Sequence, residues 1–114
     1  ITGGGAGLGF ATAQALVKLG AKVALLGRRQ DVLDKAVAEL GSQNAHGFVC
    51  DVTKKADVTK AFSDLHTHFG KLDGLINNAG IATGSDFSGE ASLGIAASEM
   101  ATNYFGVINL THTL

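Results

Sequence analysis

Near its start the chain reads Thr2-Gly3-Gly4-Gly5-Ala6-Gly7-Leu8-Gly9, and so dense a set of glycines limits what can surround it. Glycine weakens the interior of helices and strands but allows positive φ and close approach of other backbone, so the stretch is a turn. The residues beyond it are regular. Phe10, Ala13, Leu16 and Val17 recur at helical spacing, Gly20 ends that pattern, and residues 22–26 read as a short buried strand. Turn, helix and strand in this order make a βαβ nucleotide-binding unit. Phosphate oxygens can approach such a turn without meeting a Cβ, while the helix beyond it offers unpaired N–H groups and the positive end of its dipole. The ligand this suits is a dinucleotide pyrophosphate, hence NAD(H) or NADP(H). A glycine-rich turn alone can be a bend that binds nothing; the helix and strand behind it favour the ligand.

The alternation continues. Val32, Leu33, Ala36, Val37 and Leu40 form one helix face with Gly41 as its stop, and residues 47–51 form a second strand. A third helix carries Val58, Ala61, Phe62, Leu65 and Phe69 and closes at Gly70; residues 72–77 then give another buried strand, leading into Asn77-Asn78-Ala79-Gly80. A Gly/Ser-rich loop over residues 82–92 comes next. Residues 95–114 read as helical, with Ala96, Met100, Val107, Ile108 and Leu114 on the apolar positions and a break only at Gly106. The expected fold is an α/β, three-layer, Rossmann-type doubly wound parallel sheet, with residues 1–114 as one nucleotide-binding domain. Only Ile1 and Thr2 stand where a strand of about five residues should precede the glycine turn, and Leu114 falls inside a helical pattern. Both ends therefore suggest the N-terminal part of a longer single-domain protein.

Composition excludes more than it selects. With 114 residues, 46% hydrophobic and 17% charged, the chain suits a modest α/β core. A formal net charge of −1 supplies no basic field for nucleic acid or membrane surfaces. Cys50 is the sole cysteine, which rules out an internal disulfide, and neither a secretory signal nor a membrane-length apolar run is evident. The expectation is a cytoplasmic setting.

Four ordered motifs resemble the short-chain dehydrogenase/reductase family across the whole chain. Thr2-Gly3-x-x-x-Gly7-x-Gly9 matches its cofactor fingerprint, Cys50-Asp51-Val52 and Asn77-Asn78-Ala79-Gly80 match two further motifs, and Asn103 in Ala101-Thr102-Asn103-Tyr104-Phe105-Gly106-Val107 matches the asparagine of its catalytic tetrad. The resemblance implies that Gly3, Gly4, Gly5, Ala6, Gly7, Leu8 and Gly9 wrap the pyrophosphate. Leu8 would give a backbone N–H, and Gly9 would let the helix pack against the first strand. It implies further that Asp51 accepts from the adenine amino group, that Val52 covers the ring, and that Asn78, Ala79 and Gly80 leave room for ribose and nicotinamide. Asn77 and Asn78 are also suited to pinning neighbouring strands, and Asp51 to ending a strand in a turn.

Cofactor choice turns on the end of the second strand, where NAD enzymes place an acidic residue for the ribose 2′-hydroxyl. Gly27 stands there instead, followed by Arg28 and Arg29, whose guanidinium groups suit a 2′-phosphate. NADP(H) is thus expected over NAD(H), although Ala6 occupies a position that is basic in many NADP-preferring relatives. The implied chemistry is hydride transfer between nicotinamide and a small-molecule carbonyl or alcohol, with a serine, tyrosine and lysine that this chain does not supply. Tyr104 has Ile108 where Y-x-x-x-K needs lysine, and Ser92 only imitates the serine's spacing, because both would have to come after a fifth strand. Asn103 alone matches the tetrad; its implied role is to hold, through its main chain, a water of the proton relay. The resemblance also implies a homo-oligomer, dimer or tetramer, built on the last helix. A nucleotide-binding sensor or pseudoenzyme is the alternative use of the same fold.

Other chemistry finds little support. His66 and His68 are two residues apart and point to different helix faces, so no metal is expected; His46 and His112 are read as isolated. Cys50 sits in a buried strand beside Asp51, which disfavours its thiolate.

Overall fold

The structure, a computed structural model, describes residues 1–84 and 88–114. Ser85, Asp86 and Phe87, inside the predicted loop over residues 82–92, lie outside the described residues. The elements are α1 (Gly7–Lys18), β1 (Val23–Gly27), α2 (Gln30–Leu40), β2 (Ala45–Val49), α3 (Lys55–Phe69), α4 (Ser92–Met100) and α5 (Gly106–Thr113), the last two joined by a π-turn, Ala101–Phe105.

β1 and β2 pair in parallel, from Val23 opposite Ala45 to Gly27 opposite Val49. On the other side of β1, Leu26 N–H donates to the Ile1 carbonyl (2.9 Å), and Gly3 N–H donates to the Leu26 carbonyl (2.8 Å). Thr2 N–H then donates to the Ile76 carbonyl at 3.1 Å, so Ile1 and Thr2 lie between β1 and the segment around Ile76. That lateral order is the one a doubly wound sheet requires of its first, second and fourth strands.

Alternating residues of β1 feed two cores, one per sheet face. Val23 and Leu25 pack with Ala13 of α1 and with Leu33, Ala36 and Leu40 of α2. Leu26 packs with Phe48, Cys50 and the α3 face Val58, Ala61, Phe62 and Leu65, and Leu110 of α5 closes this second core. Each leucine or phenylalanine buried in this way contributes about 1.5–3 kcal/mol. The apolar spacings of α2 and α3 are therefore their buried faces, and Gly41 and Gly70 end them as expected.

Three expectations need correction. The second strand covers Ala45–Val49 rather than residues 47–51, because Asp51 already turns the chain, its Oδ1 accepting from Thr53 N–H (2.9 Å) and Thr53 Oγ1 (2.7 Å). Residues 72–77 do not form a regular strand; with only Ile1 and Thr2 alongside, a continuous ladder has no second row. Gly106 does not break the last helix. It is buried and helical (φ −58°, ψ −43°), and a Cβ there would stand 2.7 Å from Val52 Cγ2. The π-turn before it inserts one residue and rotates the later face by about 100°. Hence Leu110 is buried, whereas Ile108 and Leu114 are exposed; Met100, ahead of the turn, is exposed as well.

Candidate cofactor-binding site

The site lies where the strands end. Gly3 and Gly7 adopt positive φ (63° and 55°); beside Gly7 a Cβ would meet nothing within 4 Å, so its requirement is one of conformation, with open space in front. At Gly9 the requirement is proximity, since a Cβ would stand 2.3 Å from the Gly3 carbonyl oxygen and 2.5 Å from Asn78 Nδ2. Gly4 and Gly5 rest against Leu25 and Val32, leaving 2.9 and 2.8 Å for a Cβ. Helix α1 begins after Ala6 with no side-chain cap and no acidic residue in its first turn, and Leu8 at that turn is 81% exposed. The first N–H groups of α1 are thus left to an anion.

Thr2, a fingerprint residue for which the resemblance implies no role, ties the turn to the fourth segment. Its buried Oγ1 accepts from Asn78 N–H and Ala79 N–H, both at 3.0 Å. Asn78 returns the contact, Nδ2 donating to the carbonyls of Thr2 (3.0 Å) and Gly3 (3.3 Å). Asn78 is therefore a pin beneath the turn, while the exposed Asn77 takes no part in that pin.

A cleft of about 140 Å³ beside the turn brings together Gly3, Arg28, Asp51, Val52, Ala79 and Gly80, residues that the sequence separates by as much as 77 positions. Asp51 spends Oδ1 on Thr53, and those hydrogen bonds together with the charges of Lys54 and Arg28 outweigh its desolvation and hold its carboxyl below the usual carboxylate range. Asp57 Oδ2 accepts from Asp51 N–H (3.1 Å), and Asn109 Nδ2 donates to the Val52 carbonyl (3.0 Å). Together with Gly106 these contacts fix the Asp51–Val52 corner from behind. The two arginines separate. Arg28 lines the cleft, whereas Arg29 bridges to Asp31 at 3.0 Å on the outer surface.

Asn103 sits within the π-turn and clasps Ile81, its Oδ1 accepting from Ile81 N–H and its Nδ2 donating to the Ile81 carbonyl, both at 2.8 Å. Tyr104 is exposed and stacks edge-on against Phe105 at 5.2 Å. Ser92 begins α4, roughly 18 Å along the helical rise from Tyr104. They do not form a catalytic pair.

Two histidines do meet, so His46 is not isolated as the sequence suggested. His46 of β2 and His68 of α3 lie with ring centroids 4.2 Å apart, beside Phe48 and Phe69. Among the described residues no three His, Cys, Asp or Glu side chains gather as a metal site, and no helix is long and apolar enough to cross a membrane. Cys50 is buried, and burial, with Asp57 and Asp51 nearby, pushes its thiol up to about 11.

An α/β chain with this lateral order of strands and a glycine turn opening its first helix is a Rossmann-type fold. All of it, residues 1–114, matches the short chain dehydrogenase family. The chain belongs to that family of oxidoreductases. It is 40% identical over 114 residues to a serine 3-dehydrogenase of Agrobacterium fabrum, covering 100% of this chain and 45% of that protein. Among solved structures it resembles a 3-ketoacyl-(acyl-carrier-protein) reductase from Brucella melitensis complexed with NADH (TM-score 0.93, 32% identity, covering 99% of this chain and 46% of that one). It also resembles the closed form of a serine dehydrogenase complexed with NADP+ (TM-score 0.90, 31% identity, 98% of this chain and 45% of that one). The chain thus spans less than half the length of these relatives.

Proposed function

We propose that this chain is the cofactor-binding half of an NADP(H)-dependent oxidoreductase that acts on a small-molecule carbonyl or alcohol. In this reading Gly3 to Gly9 and the open first turn of α1 receive the pyrophosphate. Asp51, whose Oδ2 has no partner among the described residues, accepts from the adenine amino group, Val52 lies over the ring, and Ala79 and Gly80 leave room for ribose and nicotinamide. When bound, the nicotinamide supplies or accepts the hydride. Asn103 holds the chain leaving Gly80 and the π-turn of its own helix, which suits it to a relay position rather than to proton transfer itself. The serine, tyrosine and lysine of the family would come from the remainder of the protein, and the exposed Tyr104, Phe105 and Ile108 would form the subunit contact.

The observation that carries the cofactor preference is Arg28. It lines the cleft at the end of β1, where Gly27 offers no carboxylate to a ribose hydroxyl, and among the described residues it forms no ion pair, while Arg29 is held by Asp31. A guanidinium favours a 2′-phosphate there. In the full-length protein NADPH should bind more tightly than NADH, and Arg28→Ala should cost NADPH about 1.5 kcal/mol, the low end for a charge-assisted hydrogen bond at an exposed site. Calorimetric titration of both cofactors tests this; equal affinities, or equal losses for both in the variant, would overturn it.

A further inference from the structure

The chain leaving the cofactor cleft is held by a side chain that the family motifs do not include. Thr83 donates twice to one carboxylate oxygen of α4: Thr83 N–H to Glu99 Oε1 at 2.8 Å and Thr83 Oγ1 to the same oxygen at 2.9 Å. Four residues further along, Asn103 makes its paired bonds to Ile81. The spacings match. Four residues of helix rise about 6.0 Å along the axis, within the span of the two peptide units between Ile81 and Thr83. Glu99 and Asn103 thus both reach the segment that leaves the cleft, and three backbone groups, Ile81 N–H, Ile81 carbonyl and Thr83 N–H, find partners in side chains instead of a neighbouring strand. The Thr83 bonds hold the Glu99 carboxyl below its ordinary range, which keeps the acceptor ionised into mildly acidic solution.

We propose that Glu99 is a positioning residue for the reaction: by clasping Thr83 it fixes the rim that begins at Gly80 and thereby the substrate side of the nicotinamide site. The inference rests on the oxidoreductase reading. Asn103 holds Ile81 and Glu99 holds Thr83, so loss of Glu99 releases the Thr83 clasp without touching the glycine turn, Arg28 or Asp51. Glu99 is partly exposed and closes no core, so its removal should leave the fold intact.

The test compares full-length wild type, Glu99→Ala, Glu99→Gln and the double variant Glu99→Ala/Thr83→Val. Each is assayed with NADPH or NADP+ against a panel of small aldehydes, ketones and secondary alcohols, alongside hydrogen exchange at the Thr83 amide. Glu99→Ala should raise the carbonyl KM and lower kcat, together about three- to ten-fold, as expected for losing one or two net hydrogen bonds. NADPH affinity should stay within about two-fold, since the adenine and phosphate contacts are untouched. Glu99→Gln, which keeps an acceptor oxygen, should restore most of the activity and the slow Thr83 exchange. The double variant should be no worse than Glu99→Ala. In an active protein, unchanged kinetics or exchange in Glu99→Ala, or failure of Glu99→Gln to rescue, would overturn the proposal. If the wild type bound NADPH but turned over none of the panel, the oxidoreductase reading would fall, and the catalytic role of Glu99 with it, even with Thr83 exchange still dependent on Glu99.

Discussion

Gly9 and Gly7 stand two residues apart in one motif and are glycine for different reasons. Gly9 has an ordinary helical backbone, and its constraint comes from the Gly3 carbonyl and Asn78 side chain, 2.3 and 2.5 Å from where a Cβ would sit. A methyl group there must push the turn off the helix, and overpacking of this sort costs about 1–3 kcal/mol. Gly7 meets nothing, so alanine there bears only the left-handed conformation, about 1–2 kcal/mol. Gly9→Ala should therefore abolish NADPH binding and lower the Tm of the full-length protein, whereas Gly7→Ala should weaken binding with a smaller change in Tm. Calorimetry with and without cofactor separates the two. A Gly9→Ala protein that bound normally would mean that the turn moves freely away from α1.

At the scale of elements, β2 and α3 meet through His46 and His68. Contact with the surrounding rings strips solvent from His46 and lowers its pKa, and charge on His68 adds to this; Asp57, Lys60 and Asp64 of α3 and Gln30 of α2 line the same cleft. The unfolded chain, with His46 at its ordinary 6.5, takes the proton first as pH falls. Stability should hold above that value and decline below it until the folded form also protonates. Thermal melts across mildly acidic pH should show this decline, and His46→Gln should flatten it; an unchanged slope in the variant would remove His46 as its source. Sequence alone does not reveal this contact, because the rings lie 22 positions apart on two different elements. Local patterns are legible: the faces of α2 and α3 follow from helical spacing, and the glycine turn, Cys50-Asp51-Val52 and Ala79-Gly80 converge on one cleft. The second half of the last helix is not, since the π-turn shifts the register and periodicity presumes a uniform helix. The pinning role read for Asn78 is seen in its bonds to Thr2, but the clasps by Glu99, Asn103 and Asn109 leave no trace in the sequence, because each partner is remote along the chain.

Over the whole molecule, the two cores share β1 but differ in what closes them. On the face of Leu26 an apolar cleft of about 630 Å³ opens among Leu16, Phe62, Leu65, Phe69, Leu72 and Leu75. A parallel sheet is stable when both faces are covered and its inner edges paired, and here the row beside β1 is two residues long. The 114-residue chain made alone should therefore melt without a sharp transition, or aggregate, and should turn over no carbonyl substrate. Differential scanning calorimetry and an NADPH-oxidation assay check this, and a cooperative melt with turnover would overturn it.

The hydrogen bonds between Thr2 and Asn78 close a loop of 76 residues. Loop closure of that length must be met before the contact returns anything, so the glycine turn is among the last parts of the chain to set. α1, β1 and α2 can assemble early from neighbouring residues, but the glycine turn waits until Asn78 arrives. A ribosome must therefore deliver more than two thirds of this chain before the glycine turn proposed to grip the cofactor can first be pinned.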